Sequence, residues 1–396
     1  MIDRKSPVLM LDPCCYSPFY NCNLSASLIR HGWHVRLLTS EFPFEKIAVP
    51  DHTHIQTFFF SQILANSFIH RHDALRGVCK TIFYPLEMVR FTHYLEKTAT
   101  ERGILHIQWA NIPCLDKRFW QKWKDLGWRI VFTAHDPEPL QGTASLQVSA
   151  NRSTLLRHAD AVLVHSHAGR KILIDQGLNE ATIHEIPMGP TILTEMQPIP
   201  QKTARDRLNI PADSPTLLFF GFIKNYKGLD VLLKALGAVC LVFANTRLLV
   251  AGRLMDSFGR YQSLIAHSSL APHVQWHLHF ISSTDIPLYF SAADVVVIPY
   301  RQASSSSVVD LAHYFGKPVV ATTTGGLPEQ MRPEEGDRLI PPGSPELLAQ
   351  ALIAALQETL QCTLKLPDSQ TNESLTATWS TVAQRHAEIY QSLERG

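Results

Sequence analysis

A chain of 396 residues, 45% hydrophobic and 18% charged, has enough apolar material for two ordinary domains and too much for a disordered chain. The formal net charge of +1 provides no global field that would hold nucleic acid. Nineteen histidines are scattered without metal-ligand spacing, and the seven cysteines form no C-x-x-C pair, which reads as free thiols in a reducing compartment. The start, "MIDRKSPVLMLDP", carries too short an apolar run for a signal peptide. No apolar run reaches the roughly 18 residues that a membrane span requires. The expected location is the cytoplasm, with the inner face of a membrane as its variant.

Along the chain, short apolar runs alternate with helical patterns. "PVLML" leads into a helical segment near "NLSASLIRHG", and Gly32 ends it before the strand "HVRLLT". "ILHIQW" (104–109), a helix over "CLDKRFWQKWKDLG" and "RIVFTA" (129–134) follow. Then come "ADAVLVHS" (159–166), a helix near "AGRKILIDQG" and "IHEIPM" (183–188). This βαβ rhythm predicts a parallel sheet covered on both faces. Between 189 and 215 the text turns proline-rich, which reads as a hinge linker containing a short helical piece at "KTARDRLN". The alternation then restarts with "TLLFFGFI", "LDVLLKALGAV", "TRLLVAG", "VQWHLHFI", "ADVVVIPY" and "KPVVAT". The expectation is two Rossmann-like α/β domains, 1–195 and 205–371, facing one cleft at their strand C-termini. A last helix within 372–396 is expected to pack back on the first domain.

The sharpest chemistry lies in the second half. "FFGFIKNYKGLDVLLKAL" places Gly221 at a strand end, then Lys224 and Lys227, then an amphipathic helix. A basic strand-to-helix turn suits phosphate, because the first N–H groups and the dipole of the helix favour anions; solvated surface lysines are the plainer reading. After "VVIPY", Ser304, Ser305, Ser306 and Ser307 lead into a second helix, either as simple caps or as an uncrowded approach to open amides.

With "FISSTDIPLYFSAADVVVIPY", "FGKPVVATTTGGLPE" and "DRLIPPGSPELLAQAL", these stretches resemble, in order and spacing, the retaining GT-B glycosyltransferases of family 4. "LIRHGWHV", "LHIQW", "VFTAHD" and "IPMG" resemble the first domain of that family more loosely. The resemblance implies that Lys227 binds the leaving diphosphate, with Lys224 as second cation because Phe222 replaces the usual arginine. It makes the serine loop the holder of phosphate and donor sugar. The family's paired glutamates would fall at Ala303 and Leu311, and neither is acidic. Asp310 stands one helical step, about 100°, from the second slot.

Gly325 and Gly326 should let backbone approach the ligand, and Glu329 is read as a sugar-hydroxyl acceptor or a plain helix-start charge. His135, in "VFTAHD", is placed with the catalytic set in a sugar-orienting role. Arg253 in "VAGRL" is assigned to phosphate or base, and Tyr16, Ser17 and Asn21 to the acceptor side. The aromatic and basic run 58–95 reads either as buried helices or as a surface that rests on a membrane.

The implied function is transfer of a sugar from a nucleoside diphosphate to an acceptor hydroxyl with retention, in polysaccharide or glycoconjugate synthesis. No cofactor beyond the nucleotide-sugar co-substrate is expected, and lysines are expected to replace a metal. The alternatives are a GT-B epimerase or hydrolase and a catalytically silent donor-binding subunit. The partners implied are a nucleotide sugar and an acceptor, without nucleic acid.

Overall fold

A computed structural model describes residues 6–47, 52–66, 68–69, 72–98, 102–138, 152–191, 196–266, 269–361 and 372–395. The chain divides into two compact units, one of Met1–Leu193 with Thr376–Gly396 and the other of Thr194–Leu375.

The first unit is built on a seven-stranded, all-parallel sheet in the order β3-β2-β1-β4-β5-β6-β7. Its strands are β1 (Val8–Asp12), β2 (Val35–Thr39), β3 (His54–Thr57), β4 (Ile104–Ile107), β5 (Arg129–Thr133), β6 (Ala161–Val164) and β7 (Ile183–Glu185). Strand β1 is buried on both faces, as a covered parallel strand must be. Alternate side chains serve opposite layers: Leu9 and Leu11 join Phe91, Trp120 and Trp123 on one face, while Val8 and Met10 join Tyr20 and Trp33 on the other.

Helix α1 (Pro18–Arg30) starts on a proline in its first turn, whose fixed φ suits that position. Helix α2 (Asp73–Lys97) buries Tyr84, Met88, Phe91 and Leu95 at i, i+4, i+7 and i+11.

The second unit carries a six-stranded parallel sheet, β10-β9-β8-β11-β12-β13. Its strands are β8 (Thr216–Phe220), β9 (Arg247–Ala251), β10 (Val274–His277), β11 (Val295–Ile298), β12 (Val319–Thr322) and β13 (Arg338–Ile340). Helices α3 (Leu229–Val242), α4 (Ser307–Tyr314) and α5 (Pro345–Gln361) cover it.

Two edge strands, β3 and β13, escape the sequence reading. They are four and three residues long with mostly exposed or half-exposed side chains, too short and too polar to show a pattern.

The proline-rich stretch is also less slack than its composition suggests. A helix at Gln201–Leu208 lies within it. The Arg205 guanidinium donates to Asp294 Oδ2 at 2.7 Å in a buried pair, and Tyr314 Oη donates to the Met196 carbonyl at 2.8 Å. These bonds tie the stretch to the second unit.

The C-terminal helix α6 (Asn372–Arg395) packs on the first unit. Trp379, Val382, Ala383 and Tyr390 complete the layer that holds Tyr20 and Trp33. Ser27 Oγ donates to the Trp379 carbonyl at 3.0 Å.

Candidate active site

In the second unit, the candidate site forms where β8 and β11 end. Beyond Phe220 the chain turns at Gly221, whose φ of +98° lies in the region that favours glycine. A Cβ there would stand 3.1 Å from Lys227 Nζ and 3.9 Å from Val308 on α4. The lysine therefore lies over the strand end, beside the first turn of α4. Its ammonium sits 5.1 Å from the centre of the Tyr300 ring. No carboxylate among the described residues lies within ion-pair distance of it. An aromatic face attracts the cation without neutralising it, and burial pushes the Lys227 pKa down to about 8. A half-shielded ammonium without a counter-ion is a group kept ready for an anion.

The turn that carries Lys227 is clamped from the next strand end. The Arg301 guanidinium makes a forked pair of bonds to the Asp230 carboxylate, 2.8 and 2.7 Å. The same side chain donates to the Asn225 carbonyl, and the Arg301 N–H donates to the Tyr226 carbonyl at 2.7 Å. The sequence reading did not single out Arg301 or Asp230. Their signals were weak: Arg301 is the charge that ends the buried run "VVVIPY", and Asp230 is an acid in the first turn of α3.

The serine loop and the Gly325–Gly326 turn are laced together. A Cβ on Gly325, where φ is +55°, would lie 1.6 Å from the Ala303 carbonyl oxygen. The Gly326 N–H donates to the Ser304 carbonyl at 2.9 Å. The Ser306 N–H donates to Gln330 Oε1 at 2.8 Å, and Gln330 Nε2 returns a bond to the Ser306 carbonyl at 3.1 Å. Ser306 Oγ accepts from Val308 N–H and caps α4. This revises the expected amide cradle. The Ser306 and Gly326 amides are already spent inside the protein, whereas the Ser307 N–H, at the first position of α4, has no partner among the described residues.

Leu311, at the second acid slot, is core. Asp310 beside it has one carboxyl oxygen buried without a partner among the described residues, and burial pushes its pKa up to about 7. Glu329 is exposed in the short helix Leu327–Gln330. Arg253 and Lys224 are half-buried beyond β9 and β8, and their backbones tie these segments together: Ile223 N–H donates to the Arg253 carbonyl at 2.8 Å.

In the first unit, polar side chains line the ends of neighbouring strands. Asp12 ends β1 fully buried. Its carboxylate accepts from the Tyr16 N–H (3.0 Å), the Ser17 N–H (2.9 Å) and Asn21 Nδ2 (2.9 Å), which folds the first loop around it. Burial raises its pKa, against the pull of those amides and of Lys80. Asn21 is thus structural on one side; its Oδ1 is buried without a partner among the described residues. It also lines a cavity of about 490 Å³ with Thr39, Ser40, Phe42, Phe44 and Ile55. Ser17 accepts a bond from Trp109 Nε1 at 2.8 Å, and Tyr16, 60% exposed, meets the Trp109 ring edge-on.

Trp109 stacks on His135, with ring centres 5.1 Å apart. Both ring nitrogens of His135 are engaged, Nε2 by the Gln108 carboxamide at 2.9 Å and Nδ1 by His165 Nε2 at 3.1 Å. Burial first, with His165, His106 and Arg152 nearby, holds its pKa far below the usual histidine range. His135 is therefore neutral, and its side chain carries no unused donor or acceptor. Asp12, Gln108, Trp109 and His165 were missed in the sequence. A polar residue inside or just past a fully apolar strand was the available clue, since burying one is costly unless it is paired.

Comparison with known proteins agrees with this architecture. A family model described as Glycosyltransferase Family 4 matches residues 19–190, and one described as Glycosyl transferases group 1 matches residues 214–358. Among curated relatives, a D-inositol 3-phosphate glycosyltransferase of Xylanimonas cellulosilytica is 33% identical over 153 residues, 37% of this chain and 36% of the relative. Another, from Thermobispora bispora, is 28% identical over 59% of this chain and 53% of the relative. The chain spans about a third to a half of the length of such relatives.

Among solved structures, sucrose-phosphate synthase from Thermosynechococcus elongatus superposes with a TM-score of 0.72 at 20% identity, over 99% of this chain and 100% of that one. Anabaena HepE in complex with UDP-glucose gives 0.69 at 16%, over 99% and 100%. With both halves matched in order and the twin parallel sheets in place, the chain belongs to the family 4 glycosyltransferases of GT-B fold.

Proposed function

We propose that the chain transfers a sugar from a nucleoside diphosphate to an acceptor hydroxyl, with retention at the anomeric carbon. The observation that carries this reading is Lys227, an ammonium without a counter-ion held over the Gly221 turn beside the start of α4. As the glycosidic bond breaks, negative charge grows on the departing phosphate. Lys227 and the Ser307 N–H oppose that charge more strongly in the transition state than in the bound donor. Lys224, Arg253, Glu329 and the backbone around Gly325 complete the donor contacts in this reading. HepE, solved in complex with UDP-glucose, supports a nucleotide donor here.

The sugar acquires positive charge, and a neutral His135 adds none to it. On the acceptor side, a hydroxyl of the acceptor satisfies Asn21 Oδ1 from the cavity beside α1, with Tyr16 and Ser17 at its margin. The departing phosphate takes the acceptor proton, and lysine stands in for a metal.

The test is Lys227→Ala with donor turnover as the readout. A fall of about 100- to 1000-fold is expected, and an unchanged rate ends the assignment. Persistence of turnover in a chelator checks the metal-free part.

One observation favours a second reading. Ala303 and Leu311 leave both acid positions empty, as they would be in a silent donor-binding subunit. Tight donor binding with no transfer to any acceptor supports that reading. Epimer or free sugar from donor alone supports an epimerase or hydrolase.

No described helix is long and apolar enough to cross a membrane. Helix α2 nevertheless exposes Val78, Ile82, Leu86 and Val89, each more than half uncovered. Arg90, His93 and Lys97 line a basic hollow at the end of the same helix. We read this face as one that rests on an anionic membrane on its cytoplasmic side, near a lipid-linked or polysaccharide acceptor.

A further inference from the structure

The polar side chains past β4, β5 and β6 form one line whose protons the geometry fixes. At one end, His165 Nδ1 lies 3.1 Å from the Ile186 carbonyl, which can only accept, so Nδ1 carries the proton. Burial pushes the His165 pKa down to about 4, so its Nε2 is a lone pair. His135 Nδ1, 3.1 Å away, must therefore donate to it. His135 is neutral in turn, which leaves Nε2 as an acceptor facing the Gln108 carboxamide at 2.9 Å.

The amide NH2 must be the end that meets His135. A half-turn of the carboxamide about its terminal bond provides this and leaves the heavy atoms in place. The Gln108 oxygen then faces His106 Nε2 at 3.2 Å, and that nitrogen donates, shared with Thr133 Oγ1 at 2.7 Å. His106 Nδ1 is left to accept from Tyr390 Oη at 2.6 Å, on α6. Every ring nitrogen on the line is then paired with no ring charged. The opposite polarity would set the His165 lone pair against the Ile186 carbonyl.

We propose that Gln108 is a positioning residue that holds His135 as the neutral Nδ1–H tautomer, so that a bound sugar meets an uncharged ring. The functional half rests on the transferase reading above; the tautomer half does not. The groups facing His135 are Tyr20 from α1, Trp109 after β4, His165 after β6 and Arg152, whose guanidinium donates to the Asp136 carbonyl. His106 and His386 lie farther along the line. A carboxylate in place of the carboxamide would accept from both His135 and His106 and would stabilise a doubly protonated His135 beside the sugar, opposing the charge that develops there.

The experiment is long-range 1H–15N correlation on the full chain, labelled at histidine and glutamine. His135 and His165 are expected as Nδ1–H tautomers and His106 as Nε2–H at pH 7. A through-hydrogen-bond coupling between Gln108 Nε2 and His135 Nε2 is expected as well. In Gln108→Glu, His135 is expected doubly protonated at pH 7. The variant's kcat should fall about tenfold from pH 8 to pH 6, where the natural protein changes by less than about twofold.

An Nε2–H or charged His135 in the natural protein, or no coupling to Gln108, overturns the proposal without requiring any variant to fold. A charged His135 with an unchanged pH profile overturns the positioning role. The expected tautomers in a protein that transfers no sugar sustain the proton assignment and count against the transferase reading instead.

Discussion

In the proposed reaction, Lys227 gives the activity a definite dependence on pH. Burial lowers its pKa to about 8, so the free protein loses the charged form as pH rises through that value. In the proposed reaction, kcat/KM for the donor should therefore fall above about pH 8, while Lys227→Arg moves the limb upward because guanidinium stays charged. A pH–rate profile of both proteins checks this. Two glycines are bound to the same chemistry. Gly221→Ala would push against the lysine ammonium, and Gly325→Ala would drive a methyl into the Ala303 carbonyl. The second should cost about 2 kcal/mol or more, read as a lowered denaturation midpoint, and should disorder the serine loop.

At this scale the sequence was uneven in what it showed. Lys227 and the glycines could be singled out because basic and small residues at a strand-to-helix turn show in the sequence itself. The amide of Ser306 could not, because its partner Gln330 lies 24 residues on and only folding shows the bond.

Among the elements, the joint of Arg301 and Asp230 decides how firmly the lysine turn is held. Arg301→Ala leaves the sheet and the main-chain bond to the Tyr226 carbonyl intact but frees the Asn225–Lys227 turn from the guanidinium anchor on the Asn225 carbonyl and removes the fork to Asp230. A loss of roughly ten- to a hundredfold in kcat/KM is expected, with little change in thermal midpoint. Equal losses in both would make the pair a stability feature instead. The buried strands and most of the helices were legible from their apolar periods. β3 and β13 were not: "HIQT" and "RLI" hold only one and two apolar residues. Helix α2 was read only as part of an aromatic and basic run, either buried or resting on a membrane; folding shows which of its apolar residues are covered and which lie uncovered.

For the whole molecule, the exposed side of α2 predicts a surface activity separate from catalysis. Ile82→Glu with Leu86→Glu should abolish sedimentation with vesicles containing anionic lipid and leave the thermal midpoint unchanged, because neither side chain is buried. Undiminished sedimentation would remove the membrane reading. The twin α/β layout was readable from the doubled βαβ rhythm.

The structure also gives the docking of α6 a consequence for how the protein is made. Ser27 bonds to Trp379 across 352 positions of chain, and the whole second unit is threaded between these two pieces of one core. Trp379→Ala should cost about 3–5 kcal/mol in the first unit, measured by denaturant titration. On the ribosome, the segment translated earlier must wait with an open apolar flank, while the later-made middle can already fold. The order of maturation thus reverses the order of synthesis, and release of the last helix is the event that seals the first half.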